Sequence, residues 1–271
     1  MAMLNTVNRI DRRDTLDKLA RIGFITRGIV YGTIGVLAAK LAMGFGGGTA
    51  TDSNGAIQIL SNQPFGQFLL ILLCIGFGGY SLWRFVQASN SIKGTDNKKY
   101  LDTIKYIIMG LINSGLSYFA LNLFLNRSTN SSSTQSQTAK LMSQPMGLFL
   151  VGLLGAIFIG VGLYQFYKAY SEKFKDDLKT EQMNSKEMDV TTKVAKAGLT
   201  SRGIVFAIVG FFLIQASLNH DPSKAKGLDQ SLRVLIDQPY GSFLLGIVAL
   251  GLIAYSAFSF INAKYNKIEV Y

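Results

Sequence analysis

The stretch SNQPFGQFLL (residues 61–70) returns as MSQPMGLFLV (142–151) and again as IDQPYGSFLL (236–245). Each copy sets Gln-Pro-x-Gly ahead of an apolar run: Gln63-Pro64-x-Gly66, Gln144-Pro145-x-Gly147 and Gln238-Pro239-x-Gly241. The chain has four prolines and three of them stand in this motif, so chance is a poor account of the recurrence. Aromatic residues follow at matched distances, first Trp83, Tyr164 and Phe258, then Phe85, Phe166 and Phe260. Proline is tolerated in the first turn of a helix, where its missing N–H needs no partner, so each motif predicts a helix start.

The runs behind the motif are long. Six stretches reach the roughly 20 apolar residues that a bilayer crossing requires: 22–43, 65–87, 104–125, 147–167, 198–216 and 241–261, none of them containing Asp or Glu. The chain is 49% hydrophobic and 16% charged, against about 25% charged in an average soluble domain. These observations place it in the membrane class. The first 21 residues are charged and lack the apolar core of a cleavable leader, so the first span is expected to act as an uncleaved anchor.

A second repeat precedes the first. ARIGFITRGIVYGTIG from Ala20 matches AKAGLTSRGIVFAIVG from Ala195, pairing Arg27 with Arg202 and Tyr31 with Phe206. The middle copy, KYIIMGLINSGLSYFALN (105–122), keeps Gly110, Gly115 and Tyr118 but has Ser114 in place of arginine. Each unit therefore reads as an outward helix, an outer connector, Gln-Pro-x-Gly and a returning helix. In the third connector Leu228, Leu232 and Leu235 fall at helical spacing, which predicts a short amphipathic helix at the interface. Gly28, Gly32 and Gly35 predict close helix packing. The expected fold is an all-α membrane protein whose six transmembrane helices form three parallel helical hairpins with pseudo-threefold symmetry. Its parts are a cytoplasmic N-terminal segment (1–21), repeat 1 (22–92), repeat 2 (100–170), a charged cytoplasmic linker (171–193) and repeat 3 (194–265).

Basic residues set the orientation. With the N-terminus inside, 21 Lys and Arg fall on the cytoplasmic side and six outside, which puts both termini in the cytoplasm. The same bias accounts for the net charge of +11 without nucleic acid. The single cysteine, Cys74, lies mid-span and the single histidine, His220, in an outer loop, so no metal cluster and no cofactor is expected.

At these residues the chain resembles the bacterial membrane-protein family called domain of unknown function 1206. The likeness rests on the ARxGFxxRGxVY opening, the QPxGxxLL step and the run Gly76, Tyr80, Trp83 closing the first unit, and it covers roughly 16–264 as three copies. It implies a multi-pass protein of the bacterial cytoplasmic (inner) membrane and no established activity. The middle copy departs from the pattern at Ser114, and segment 211–227 has a more charged outer loop.

Arg27 and Arg202 are the sharpest candidates for chemistry, because a charge inside a span is costly. Arg27 is six residues past Arg21, about 9 Å of helix, so it either snorkels to the interface or binds a lipid phosphate or another anion. Tyr31 and Tyr118 occupy matching, deeper positions and read as core aromatics or as lining. Asn113, Ser114, Ser117 and Asn122 make the middle unit's first helix the most polar; they either line a wet path or bond neighbouring helices. Tyr80, Trp83, Phe85, Tyr164, Phe166, Tyr167, Tyr255 and Phe258 read as an interfacial aromatic belt.

GFGGG (44–48) lacks the Lys-Ser/Thr and the preceding strand of a phosphate cradle. The Asn126 and Asn130 glycosylation patterns are read as composition in a Ser/Asn-rich loop. Segment 171–190 mixes charges and reads as a solvated helical extension or hairpin, or else as a partner's docking site. No catalytic constellation emerges, so an enzyme is not expected. The expected function is binding or passing a small anionic or amphipathic molecule; the alternative is a non-catalytic scaffold or accessory subunit. The expected partners are the lipid bilayer and, on the accessory reading, another membrane protein.

Overall fold

The computed structural model describes residues 2–45, 48–92, 99–125 and 134–267. The centre of GFGGG and the loop carrying Asn126 and Asn130 lie outside these. Six helices are long and apolar enough to cross a membrane: α1 (Ala2–Ala42, its apolar part Asp17–Ala42), α3 (Gly66–Ile92), α4 (Lys99–Phe124, its apolar part Thr103–Phe124), α6 (Gly147–Tyr170), α7 (Ser185–Leu218) and α9 (Gly241–Tyr265). They coincide with the six runs read from the sequence. α1 is helical from Ala2, so the N-terminal segment runs on into the first span as one helix.

Three nine-residue helices precede the motifs: α2 (Ser53–Ser61), α5 (Thr134–Met142) and α8 (Leu228–Ile236). Only α8 was expected, from its leucine spacing; its Leu232 is buried. Ala56 and Ile57 play that part in α2, where Asp52 caps the N-terminus by accepting the Gly55 N–H at 2.8 Å.

The Gln-Pro-x-Gly corner differs from the expectation. Proline does not sit inside the helix; the helices begin at the glycines. The residue between them is left-handed each time, with φ of 65° at Phe65, 63° at Met146 and 60° at Tyr240. The glycine N–H returns to the glutamine carbonyl at 2.8, 2.9 and 2.8 Å respectively. Proline at the second position, positive φ at the third and this closing bond define a type II turn. Glycine follows because a Cβ at Gly66, Gly147 or Gly241 would overlap the carbonyl oxygen of Ser61, Leu141 or Ile236 in the short helix before it. The bulky third residues point away from the protein and are 84%, 73% and 85% exposed.

The chain divides into two compact units. The first comprises Met1–Ile29, Ile57–Thr129 and Ser259–Tyr271. In it α1 presses on α3: Gly23 faces Tyr80, Gly76 faces the Thr26 hydroxyl, and Ala20, Phe24, Tyr80 and Trp83 form a buried cluster. α4 is tied to α3 by Ser81 Oγ donating to the Gly110 carbonyl (2.8 Å) and Ser117 Oγ to the Cys74 carbonyl (2.9 Å). Arg21 pairs with Asp17 at 2.6 Å and donates to the carbonyls of Ala263 and Lys264, satisfying the C-terminal end of α9.

The second unit comprises Val30–Ala56 and Asn130–Phe258. α6 and α7 meet through glycines, with a Cβ at Gly155 standing 2.8 Å from the Gly210 carbonyl and one at Gly162 standing 2.8 Å from that of Gly203. α7 and α9 meet at Gly198 and Tyr255, and at Gly251 and Ser201. Interhelical contact of this kind needs small residues. The linker after α6 is not wholly solvated: Phe174 and Leu178 are buried, and the Phe174 ring lies edge-on to Phe258 at 5.7 Å. Asn184 and Glu187 form a capping box that starts α7.

Glu172 in this linker accepts from Lys175 and from Lys196 (2.6 Å), and those bonds hold its carboxyl at about 2 against the ordinary 4.5. A depressed folded-state value means stabilisation present above the unfolded value and lost as pH falls from about 4.5 toward 2. Glu172→Gln is therefore expected to lower the melting temperature at pH 7, and the gap to the wild type should close through that acid range. Thermal melts of both proteins across pH check this; a gap independent of pH would contradict it.

Candidate functional site

The arginines of the spans rest on tyrosines. In the first unit α1 brings the Arg27 guanidinium 4.3 Å from the centroid of the Tyr80 ring and 5.9 Å from that of Phe24. Arg84, one turn beyond Tyr80 on α3, reaches the same ring at 4.8 Å and also lies 4.3 Å from Trp83 and 5.5 Å from Tyr106. It donates to the Tyr80 hydroxyl and, at 2.7 Å, to Gln87 Oε1. Tyr80 is fully buried, with Phe24 and Trp83 edge-on at 5.5 and 5.3 Å.

In the second unit Arg202 Nη1 donates to the Tyr255 hydroxyl at 2.7 Å. Its guanidinium lies 4.8 Å from the Tyr255 and Phe206 rings and 5.4 Å from Tyr31, which meets Tyr255 edge-on at 4.8 Å. A guanidinium over an aromatic face gains about 0.5–2 kcal/mol, the upper end when desolvated. The phenol adds a neutral acceptor inside apolar runs whose sequence holds no Asp or Glu.

The two pairs are copies of each other. Arg27 to Tyr80 and Arg202 to Tyr255 are both 53 residues. The middle copy has Ser114 at the arginine position and Val161 at the tyrosine position, so cation and acceptor are missing together. Ser114 Oγ instead lies 2.7 Å from Ser81 Oγ.

The other candidate residues are dispersed. Tyr31 joins the Arg202 cluster. Ser114 and Ser117 face α3, with Ser117 also 3.6 Å from the Cys74 sulfur. Asn113 and Asn122 are buried, and Asn113 donates to its own helix at the Met109 carbonyl (2.7 Å). Tyr118 is 68% exposed and joins no cluster. The residues of the repeat motif lie at the far end of α3 from Arg84, 18 residues from Gly66, about 27 Å along the helix. Among the described residues no group of three His, Cys, Asp or Glu could hold a metal ion. A shallow concavity of about 540 Å³ lies beside the capping box, lined by Met183, Met188 and Thr192 among others.

The aromatic helix ends are not one belt. Tyr80, Trp83, Tyr255 and Phe258 are buried and form the arginine cages or their surroundings, whereas Tyr164 and Tyr167 of the middle unit are each 51% exposed. Sequence reasoning missed Arg84, Tyr80 and Tyr255 as parts of the site. The signal was present in the shared 53-residue separation and its joint loss in the middle copy.

The family described as Domain of Unknown Function (DUF1206) matches the chain three times, at residues 22–90, 104–172 and 197–266. A relative from Bacillus subtilis (strain 168), the uncharacterised protein YxxB, is 32% identical over 255 residues, covering 93% of this chain and 92% of its own. No solved structure matches the chain.

Proposed function

We propose, on the premise that this chain belongs to the Domain of Unknown Function (DUF1206) family, that it is a non-catalytic, multi-pass protein of the bacterial cytoplasmic membrane. It binds or passes a small anionic or amphipathic molecule, a lipid or a solute, through its span arginines. Its three hairpins run parallel about a pseudo-threefold axis with both termini in the cytoplasm, which puts Arg27 and Arg202 toward the inner leaflet. The observation that carries this reading is the pair of half-buried guanidiniums on neutral tyrosines, Arg27 on Tyr80 and Arg202 on Tyr255. A guanidinium resting on a phenol keeps its positive charge, and ionisable residues within a span are by default functional.

The accessory-subunit reading is favoured by one observation. Only 22% of the apolar part is buried in α4 and in α6, against 44–50% in the other four spans. Those two helices therefore present much apolar surface to a lipid or to another protein.

Native mass spectrometry of the protein extracted gently from its own membrane separates the two. A monomer retaining an anionic lipid or small anion supports binding, and a stable complex with another protein supports the accessory role. Each charge-assisted hydrogen bond contributes about 1.5–3 kcal/mol, so Arg27→Ala with Arg202→Ala is expected to weaken anionic-ligand retention by tenfold or more. Unchanged affinity in the double variant would refute the role of the arginines.

A further inference from the structure

The two arginine sites are unequal, and the inequality resides in Arg84. At its register the second hairpin has Gln165 and the third has Ser259. Arg27 and Arg84 both lie on the Tyr80 ring, and their distances of 4.3 and 4.8 Å from its centroid bound the separation of the two guanidinium carbons at about 9 Å. Arg202 has Tyr31, Phe206 and Tyr255 around it and no arginine at the position corresponding to Arg84.

Both clusters hold a buried guanidinium Nε that makes no hydrogen bond, that of Arg84 in the first and of Arg202 in the second; the first adds Trp83 Nε1, likewise buried without one, with the Arg84 guanidinium 4.3 Å from the Trp83 ring. A buried donor left without a partner is destabilising, and it is rare in folded proteins. Among the described residues no carboxylate pairs with Arg84, and Asp17 on α1 is paired with Arg21. Two guanidiniums on one ring and two buried N–H groups without hydrogen bonds suit a ligand with several oxygens and more than one negative charge. A phosphate monoester carries about −1.5 to −2 at neutral pH and three acceptor oxygens. A phosphodiester carries a single charge.

Resting on the anion-binding reading above, we infer that Arg27 and Arg84 form a clamp for a phosphate monoester group, whether borne by a lipid or by a soluble molecule. Arg202, with a single guanidinium, does not discriminate monoester from diester.

The test uses the full chain in nanodiscs and compares retention of phosphatidic acid, a monoester, with phosphatidylglycerol, a diester. The wild type is expected to prefer phosphatidic acid at least tenfold. Arg84→Gln, which installs the residue the second hairpin carries at this register, is expected to bring the two lipids within twofold, chiefly through lost retention of phosphatidic acid. Arg84→Lys keeps a cation and should retain part of the preference, and Arg202→Gln should leave the preference intact. Competition by glycerol 1-phosphate would identify a soluble ligand; failure to compete would identify the lipid. An Arg84→Gln protein that keeps the full preference, or a wild type that binds both lipids equally, overturns the clamp. Retention of neither lipid by the wild type overturns instead the anion-binding reading on which it rests.

Discussion

Gly198→Ala is expected to destabilise the protein by about 2–3 kcal/mol, although alanine is the better helix former. Propensity alone would favour alanine inside α7 by about 1 kcal/mol. The added methyl would stand 2.6 Å from both the Cα and the backbone nitrogen of Tyr255, and backbone cannot rotate out of the way. Relief requires α9 to back off from α7, and overpacking of this kind costs about 1–3 kcal/mol or more, which outweighs the propensity gain. The same displacement carries the Tyr255 hydroxyl away from Arg202, 2.7 Å distant. Gly115→Ala is the matched control, because a Cβ there meets nothing within 4 Å. It should be neutral or stabilising by up to about 1 kcal/mol. Thermal unfolding in one detergent decides the matter: a fall of roughly 5–10 °C is expected for Gly198→Ala and none for Gly115→Ala. Equal falls would show that interhelical contact is not what Gly198 provides.

The corner glycines carry the other large effect, and there two neighbouring substitutions should differ sharply in size. A Cβ at Gly241 would overlap the Ile236 carbonyl and stand 2.6 Å from the Leu235 oxygen, all of it backbone within the last turn of α8. Gly241→Ala should therefore open the turn, with a loss of about 3 kcal/mol or more, among the larger single-site effects. Tyr240 next to it holds φ at 60°, a region costing a side-chain-bearing residue about 1–2 kcal/mol. Tyr240→Gly removes that strain while adding freedom to the unfolded chain, so it should be near neutral in detergent. In lipid the exposed ring at position 240 is lost as well. Melting both variants in detergent tests the steric account, and comparable destabilisation by the two would contradict it.

What the sequence disclosed depended on whether each feature leaves a periodic or compositional trace. Six spans and the threefold repeat were legible because run length and an exact Gln-Pro-x-Gly recurrence are one-dimensional properties. Helix α8 was legible through Leu228, Leu232 and Leu235; α5, with the sequence TQSQTAKLM, has no apolar stripe to read. The turn was misplaced because its left-handed residue is Phe, Met or Tyr, whereas glycine is the usual sign of positive φ. Arg27 and Arg202 were visible as charges in apolar runs. Their acceptors were not, since Tyr80 and Tyr255 sit in aromatic-rich helix ends whose composition equally fits an interfacial belt. Only burial, and the helix contacts that bring residues 53 apart together, separates the two readings.

The joint absence of arginine and tyrosine from the middle hairpin bears on how triplicated membrane proteins diverge. Because each arginine finds its tyrosine within its own hairpin, the pair is inherited or discarded with that piece of chain. The two single-change intermediates between the arginine–tyrosine and serine–valine forms are not equivalent in free energy. A tyrosine deprived of its guanidinium keeps a ring that still packs; a guanidinium deprived of its phenol loses a hydrogen-bond acceptor and an aromatic face at once, inside a span. The permissive route removes the arginine first, so Arg202→Ser should be better tolerated than Tyr255→Val.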